Sequence, residues 1–184
     1  MLPFKVFKNF IDDDFVSKYL SNDGYVEASV TDKTGTNSEK NDKTRRSRVR
    51  FYNNDQIPLF DKLVDSYSKY FDEGEIDYFD YQLTRYDAED SGFFHMHDDT
   101  VRSNTPHIRR ISCSIFMSDP EHYDGGDFIF RDYDLQSVRG WNDKYSCVMF
   151  PSTGLYHAVL PVTRGTRYSL VCWGMGKNPD YKAD

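Results

Sequence analysis

No apolar run in this sequence approaches the roughly 20 residues needed to span a bilayer, so membrane-spanning helices are not expected. The opening stretch, MLPFKVFKNFIDDD, lacks the charged-then-apolar order of a secretory signal, and the expected location is the cytoplasm. Cysteine is scarce: three residues, Cys113, Cys147 and Cys172, with no CxxC or metal-knuckle spacing. Free thiols in a reducing compartment are the plain reading. An excess of positive charge is also missing. The formal net charge is -7, which argues against wholesale attraction to a nucleic-acid backbone and leaves only a local basic run from Lys43 to Arg50. There is no internal repeat and no low-complexity tail.

What is present suits a packed, strand-rich chain. Aromatic residues make up 16% of 184, too many for disorder and favourable for strands. Phe4 to Ile11 reads as a short strand, and Asp12 can cap a helix carrying Phe15, Val16, Tyr19 and Leu20. Tyr25 to Val30 reads as another strand. Thr31 to Arg46 is polar and aperiodic, and Thr31 to Arg50 is expected to be a mobile lid over substrate, with a solvated surface loop as the alternative. Pro58 fits the first turn of a second helix with Phe60, Leu63, Val64, Tyr67, Tyr70 and Phe71 at helical spacing.

After Gly74, short strand-like runs follow one another: IDYFDYQLTRY, GFFHMHDD, RRISCSIFMS, DFIFRD, LQSVRG, YSCVMFPST, YHAVLPV and TRYSLVCWGM. Turn signals such as Asp124-Gly125-Gly126 separate them. This order predicts an α+β chain, a sandwich or closed barrel with supporting helices. The expected division is one domain over 1–184, with helical support over about 1–75 and a barrel core over about 76–178.

His97 and Asp99 are two apart, so on one strand they project together. A third ligand from His157 would complete two histidines and a carboxylate on one side of a metal, the facial arrangement of non-heme iron sites. His95 would share that face too, which keeps a His95, His97 and His157 set open. Arg167 and Ser169 share a face on a later strand, and a guanidinium inside a barrel needs a carboxylate to grip. Asp98 should face away, and His107 and His122 read as exposed loop residues.

The ordered text Leu83-Thr84-Arg85-Tyr86, His97-Asp98-Asp99, Ile111-Ser112, Ser118-Asp119-Pro120, Tyr123-Asp124-Gly125-Gly126-Asp127-Phe128, Phe150-Pro151-Ser152, His157 and Pro161 to Arg167 (PVTRGTR) resembles the prolyl 4-hydroxylase type of iron(II)/2-oxoglutarate oxygenases. The resemblance implies a double-stranded β-helix (jelly-roll, cupin-like) fold. It implies iron(II) on His97, Asp99 and His157, and 2-oxoglutarate on Arg167, with Tyr86 and Ser169 as further contacts. Trp173, His95 and Arg110 stand as substrate-side residues. The expected activity is hydroxylation of a C–H bond, foremost of a prolyl residue in a peptide or protein, with O2 as co-substrate, succinate and CO2 released, and ascorbate an open addition. Set against it are a hydroxylase of a free amino acid or small metabolite, and a non-enzymatic jelly-roll metal- or ligand-binding module. The matching register favours Asp99 over His95 as ligand. Two departures are visible: a lengthened Tyr86–His97 segment, and no tyrosine between Ile111 and Met117.

Overall fold

The computed structural model describes residues 2–20, 23–31, 38–101 and 104–182. The chain runs through β1 (Lys5–Phe7), α1 (Asp13–Tyr19), β2 (Val26–Glu27), β3 (Val30–Thr31), β4 (Ser38–Glu39), β5 (Arg45–Arg46), β6 (Arg48–Tyr52) and α2 (Phe60–Ser68). It continues with β7 (Tyr78–Asp87), β8 (Phe93–His97), β9 (His107–Phe116), β10 (Tyr123–Gly125), β11 (Phe128–Phe130), β12 (Cys147–Pro151), β13 (His157–Val159) and β14 (Val162–Lys177). The major sheet has the order β1-β12-β9-β14-β7-β6-β2, with β10 also on β14. The minor sheet is β11-β13-β8-β5, and β3 and β4 form a separate hairpin. The two facing sheets make a double-stranded β-helix.

Strand β7 shows why so many central positions are apolar. Phe79, Tyr81 and Leu83 point to one face and pack with Leu63, Tyr67, Ile111, Ile115 and Leu170 under the helices. The alternate residue Tyr86 joins Phe116, Phe128, Phe130 and Phe150 between the sheets. A sheet buried on both faces needs large side chains on both parities. Each fully buried aromatic or aliphatic side chain contributes about 1.5–3 kcal/mol. Asp12 caps α1 by accepting the Phe15 N–H at 2.8 Å, satisfying an otherwise free donor. Among the described residues no helix is long and apolar enough to cross a membrane.

Several expectations are corrected. Residues 1–75, expected to be helical support, carry six strands besides two helices, because β2 and β6 extend the major sheet. The strand expected over Phe4–Ile11 is limited to Lys5–Phe7, and that over Tyr25–Val30 divides into two short pieces. LQSVRG is not a strand: Leu135–Ser137 form a single 3-10 turn, with Leu135 filling the inter-sheet core. The segment Thr31 to Arg50 is not a structureless loop over its described residues. Its described parts form β4, β5 and β6, with Arg45 and Val49 buried, while 32–37 lie outside the described residues. Charge misled the reading, because alternate arginines on β6 face outward while Val49 faces the core.

Candidate metal centre

His97 ends β8 and His157 begins β13, and the two stand opposite each other in the minor sheet. Asp99 lies just past the end of β8, so strand alternation does not deliver it. It is held instead by its own N–H donating to Ser152 O at 3.1 Å. Asp99 Oδ1 is 3.8 Å from His97 Nε2, and Oδ2 is 3.7 Å from His157 Nε2. One potential ligand atom from each of the three lies within 4.8 Å of the others, so the set could hold a metal ion.

Backbone geometry sets the tautomers. His97 Nδ1 lies 2.7 Å from His95 O, and His157 Nδ1 lies 3.1 Å from Leu155 O. Each Nδ1 therefore carries the proton and leaves the Nε2 lone pair facing Asp99, as a metal site requires. Aromatic rings wall the histidines: Phe94 stacks on His97 at 3.6 Å, and Phe128 and Phe150 flank His157 at 5.3 and 4.8 Å. Burial, then the neighbouring His157, lowers the pKa of His97 to about 4, so it stays neutral and ligating near pH 7. Burial pushes Asp99 upward, but His157, Arg109, His97 and a Ser112 hydrogen bond outweigh it and hold the carboxyl at about 2.

A β-bulge decides the fate of His95. Val159 pairs with Phe94 while His157 pairs with His97, so β8 spends one extra residue between them. Such a bulge re-aims side chains. Phe94 and His97 both turn to the pocket, whereas His95 is exposed. The alternative His95, His97 and His157 set is therefore not assembled.

Across the gap, β14 of the major sheet carries Arg167, 1% exposed. Its Nη1 donates to Ser169 Oγ at 3.3 Å, while Nε and Nη2 have no partner among the described residues. Tyr86 lies on the paired β7, with its ring 5.6 Å from the guanidinium. A buried charge with two idle donors is costly unless a partner arrives. A carboxylate accepting both fits that arrangement. The donor set of two imidazoles and a carboxylate suits iron(II), and the idle guanidinium suits the far carboxylate of 2-oxoglutarate. Trp173, on the same strand, is 8% exposed and lines the space in front of the candidate metal position.

Arg110 is not on this space. A second bulge, on β9, pairs Met175 with Arg109 and Gly174 with Ile111, leaving Arg110 as the extra residue. Its guanidinium turns to the far side and donates to Glu73 O and Lys177 O, each at 2.7 Å. Arg109 takes the inward place, 3.9 Å over the Trp173 ring. His107 is not loose either: it begins β9, half-buried, 3.3 Å from Asp77 and edge-on to Tyr78. His122 is exposed as expected, and Asp98 is turned to Thr100 Oγ1 at 2.7 Å. Sequence reasoning also missed Arg45, which is 7% exposed, and Phe94, both of which line the pocket. For Arg45 the one available signal was its alternation with Ser47 and Val49.

Comparison with known proteins agrees with this geometry. The 2OG-Fe(II) oxygenase superfamily model matches residues 81–175. The chain belongs to this superfamily. A PKHD-type hydroxylase of Acinetobacter baylyi is 37% identical over 95 residues, 50% of this chain and 40% of that protein. The PKHD-type hydroxylase PiuC of Pseudomonas aeruginosa is 45% identical over 64 residues, 34% of this chain and 27% of that protein. The match thus spans less than half the length of these relatives. A prolyl-4-hydroxylase of Pseudomonas putida has the same fold at TM-score 0.65 and 16% identity, covering 96% of this chain and 94% of that one. A Trichoplax adhaerens prolyl hydroxylase in complex with a hypoxia inducible factor peptide superposes at TM-score 0.63 and 13% identity, covering 94% and 83%.

Proposed function

We propose that the chain, acting as one domain, is an iron(II)- and 2-oxoglutarate-dependent dioxygenase. It hydroxylates a C–H bond of a prolyl residue in a peptide or protein, releasing succinate and CO2. The observation that carries this reading is the pairing of two features: the His97, Asp99 and His157 donors in one pocket, and, against the pocket-lining Tyr86 and Ser169, the buried Arg167 guanidinium with Nε and Nη2 idle among the described residues. A simple metal- or sugar-binding jelly roll has no use for the second feature.

In this reading His97, Asp99 and His157 hold iron, and Arg167, Ser169 and Tyr86 hold 2-oxoglutarate. Bound iron supplies the oxidising chemistry that couples decarboxylation of 2-oxoglutarate to C–H hydroxylation. The protein's part is to orient and to exclude water. Phe94, Phe128 and Phe150 keep the imidazoles in place and the pocket dry. Arg167 fixes the far end of the co-substrate, so that its reacting end falls toward the histidines. The prolyl preference draws on the named relatives, several of which are prolyl hydroxylases.

The test is succinate formation from 2-oxoglutarate under air, with and without a panel of proline-containing peptides, and mass analysis of each peptide. A gain of one oxygen on a prolyl ring, coupled to succinate, is the expected result. Peptide-independent consumption with no oxygenated peptide, against oxygenation of free proline, would replace the peptide by a free amino acid.

A further inference from the structure

The outer groove, a cavity of about 470 Å³ in front of the metal position, contains two arginines that the assigned roles do not use. Arg45 comes from β5 at the edge of the minor sheet, and Arg109 from β9 of the major sheet. Both lie over aromatic rings: Arg45 is 4.5 Å from the Phe94 centroid, and Arg109 is 3.9 Å from that of Trp173. Such stacking orients a guanidinium and leaves its edge donors free.

Three arginines outside the groove hold carboxylates at short range. Arg48 reaches Asp90 at 2.9 Å, Arg85 reaches Asp87 at 2.8 Å, and Arg164 reaches Asp124 at 2.6 Å. Arg109 approaches a carboxylate no closer than 3.9 Å, and that carboxylate is Asp99, whose charge a bound metal would share. Arg45 donates Nε to Ser47 Oγ at 2.7 Å, also hydrogen-bonds the Tyr86 side chain and feels the charge of Asp99, but has no carboxylate in ion-pair contact among the described residues. Buried charges are ordinarily paired at short range; Arg45, 7% exposed, has no carboxylate partner among the described residues, and the half-buried Arg109 has Asp99 only at 3.9 Å. The other charged groups facing them are Asp80, whose charge favours that of Arg109, and Asp98, already held by Thr100 Oγ1 and the Gly154 N–H. Burial lowers the pKa of both arginines, and the Arg109 guanidinium further disfavours the charge of Arg45, which an anion between them would offset.

We propose that the outer groove selects substrates bearing a carboxylate beside the carbon to be oxidised, gripped between Arg45 and Arg109. This rests on the oxygenase reading of the same site and adds the substrate's charge. The carboxylate comes from an acidic side chain next to the target residue, or from a free terminal carboxylate. The two sources are separated by the choice of probe.

The chain is loaded with Mn(II) and saturating 2-oxoglutarate under nitrogen, so that no turnover occurs, and Trp173 fluorescence reports binding under Arg109. One probe pair is a blocked, amidated peptide with Pro-Asp against the same peptide with Pro-Asn. The other is N-acetylproline against N-acetylprolinamide. At least one charged probe should bind tenfold or more tightly than its neutral partner. Arg45→Gln and Arg109→Gln should each bring that ratio close to one, and Arg109→Lys, which keeps the charge, should retain most of it. Discrimination in the N-acetylproline pair alone supports the anion site and defeats the peptide reading. Equal binding within both pairs, or a charge preference that survives both glutamine variants, overturns the proposal.

Discussion

Gly126 sits directly against Arg167: a Cβ built on this glycine would lie 2.8 Å from Arg167 Cδ and 2.9 Å from Val162 Cγ2. Its φ of +67° also lies in the left-handed region that side chains disfavour. Gly126→Ala is therefore expected to cost about 1–3 kcal/mol of stability through backbone strain. It should also raise the 2-oxoglutarate requirement at least tenfold by pushing the guanidinium off its position. Thermal unfolding and a 2-oxoglutarate titration read the two effects separately. Unchanged 2-oxoglutarate affinity would show that Arg167 does not hold the co-substrate.

The metal assignment separates residues that look alike in sequence. His97→Ala, Asp99→Ala and His157→Ala should each remove most iron(II) binding, while His95→Ala should keep it, because the bulge in β8 sends His95 outward. Metal content after gel filtration decides the matter. Loss of iron in His95→Ala with retention in Asp99→Ala would restore the three-histidine set.

Acidification should destabilise the metal-free chain in two steps of the same sign. His97 titrates at about 4 when folded against 6.5 ordinarily, so between these values the unfolded chain binds more protons. Stability then falls as pH drops through that window. Asp99, at about 2 against 3.8, contributes stability that is complete above 3.8 and is lost as pH falls toward 2. Melting temperature followed from pH 7 to 3 should show the upper step in the parent and lack it in His97→Gln. An identical profile in the variant would refute the assignment.

Arg110 and Arg109 should behave oppositely despite being neighbours. Arg110→Ala removes two solvent-accessible hydrogen bonds, to the carbonyls of Glu73 and Lys177, at a cost of about 0.5–1.5 kcal/mol. It should leave metal and 2-oxoglutarate binding untouched. Chemical denaturation alongside a binding titration checks both halves. An effect on binding without an effect on stability would place Arg110 at the site after all.

That pair also shows what was legible in the sequence and what was not. His97, Asp99, His157 and Arg167 could be picked out because few residue types can do their chemistry and the ordered motif brackets them. The sequence points to Arg110 and not to Arg109, and the bulge between Gly174 and Met175, which turns Arg110 to the far side, leaves no mark in it. One inserted residue reverses every face beyond it, and hydrophobic alternation does not reveal the insertion. His95 was kept as a candidate for the same reason. Arg45 is hidden by composition: within a basic, polar run only its alternation with Ser47 and Val49 marks the arginine that lies over Phe94 and bonds Tyr86.

Strand β14 occupies the middle of the major sheet, with β9 on one side and β7 on the other. The strands that flank it are made long before it. Until residues 162–177 have left the ribosome, the native partners available in this sheet are β6 and β2 on the β7 side, and β12 and β1 on the β9 side, which would leave two half-sheets. Each half presents an unpaired, apolar edge of the kind that invites pairing with other chains. Closure waits for the last long strand, which brings Arg167 and the sheet's central hydrogen bonds at the same moment. A nascent chain stalled short of Val162 would thus be prone to aggregate, and the step that completes the co-substrate pocket is also the step that ends that hazard.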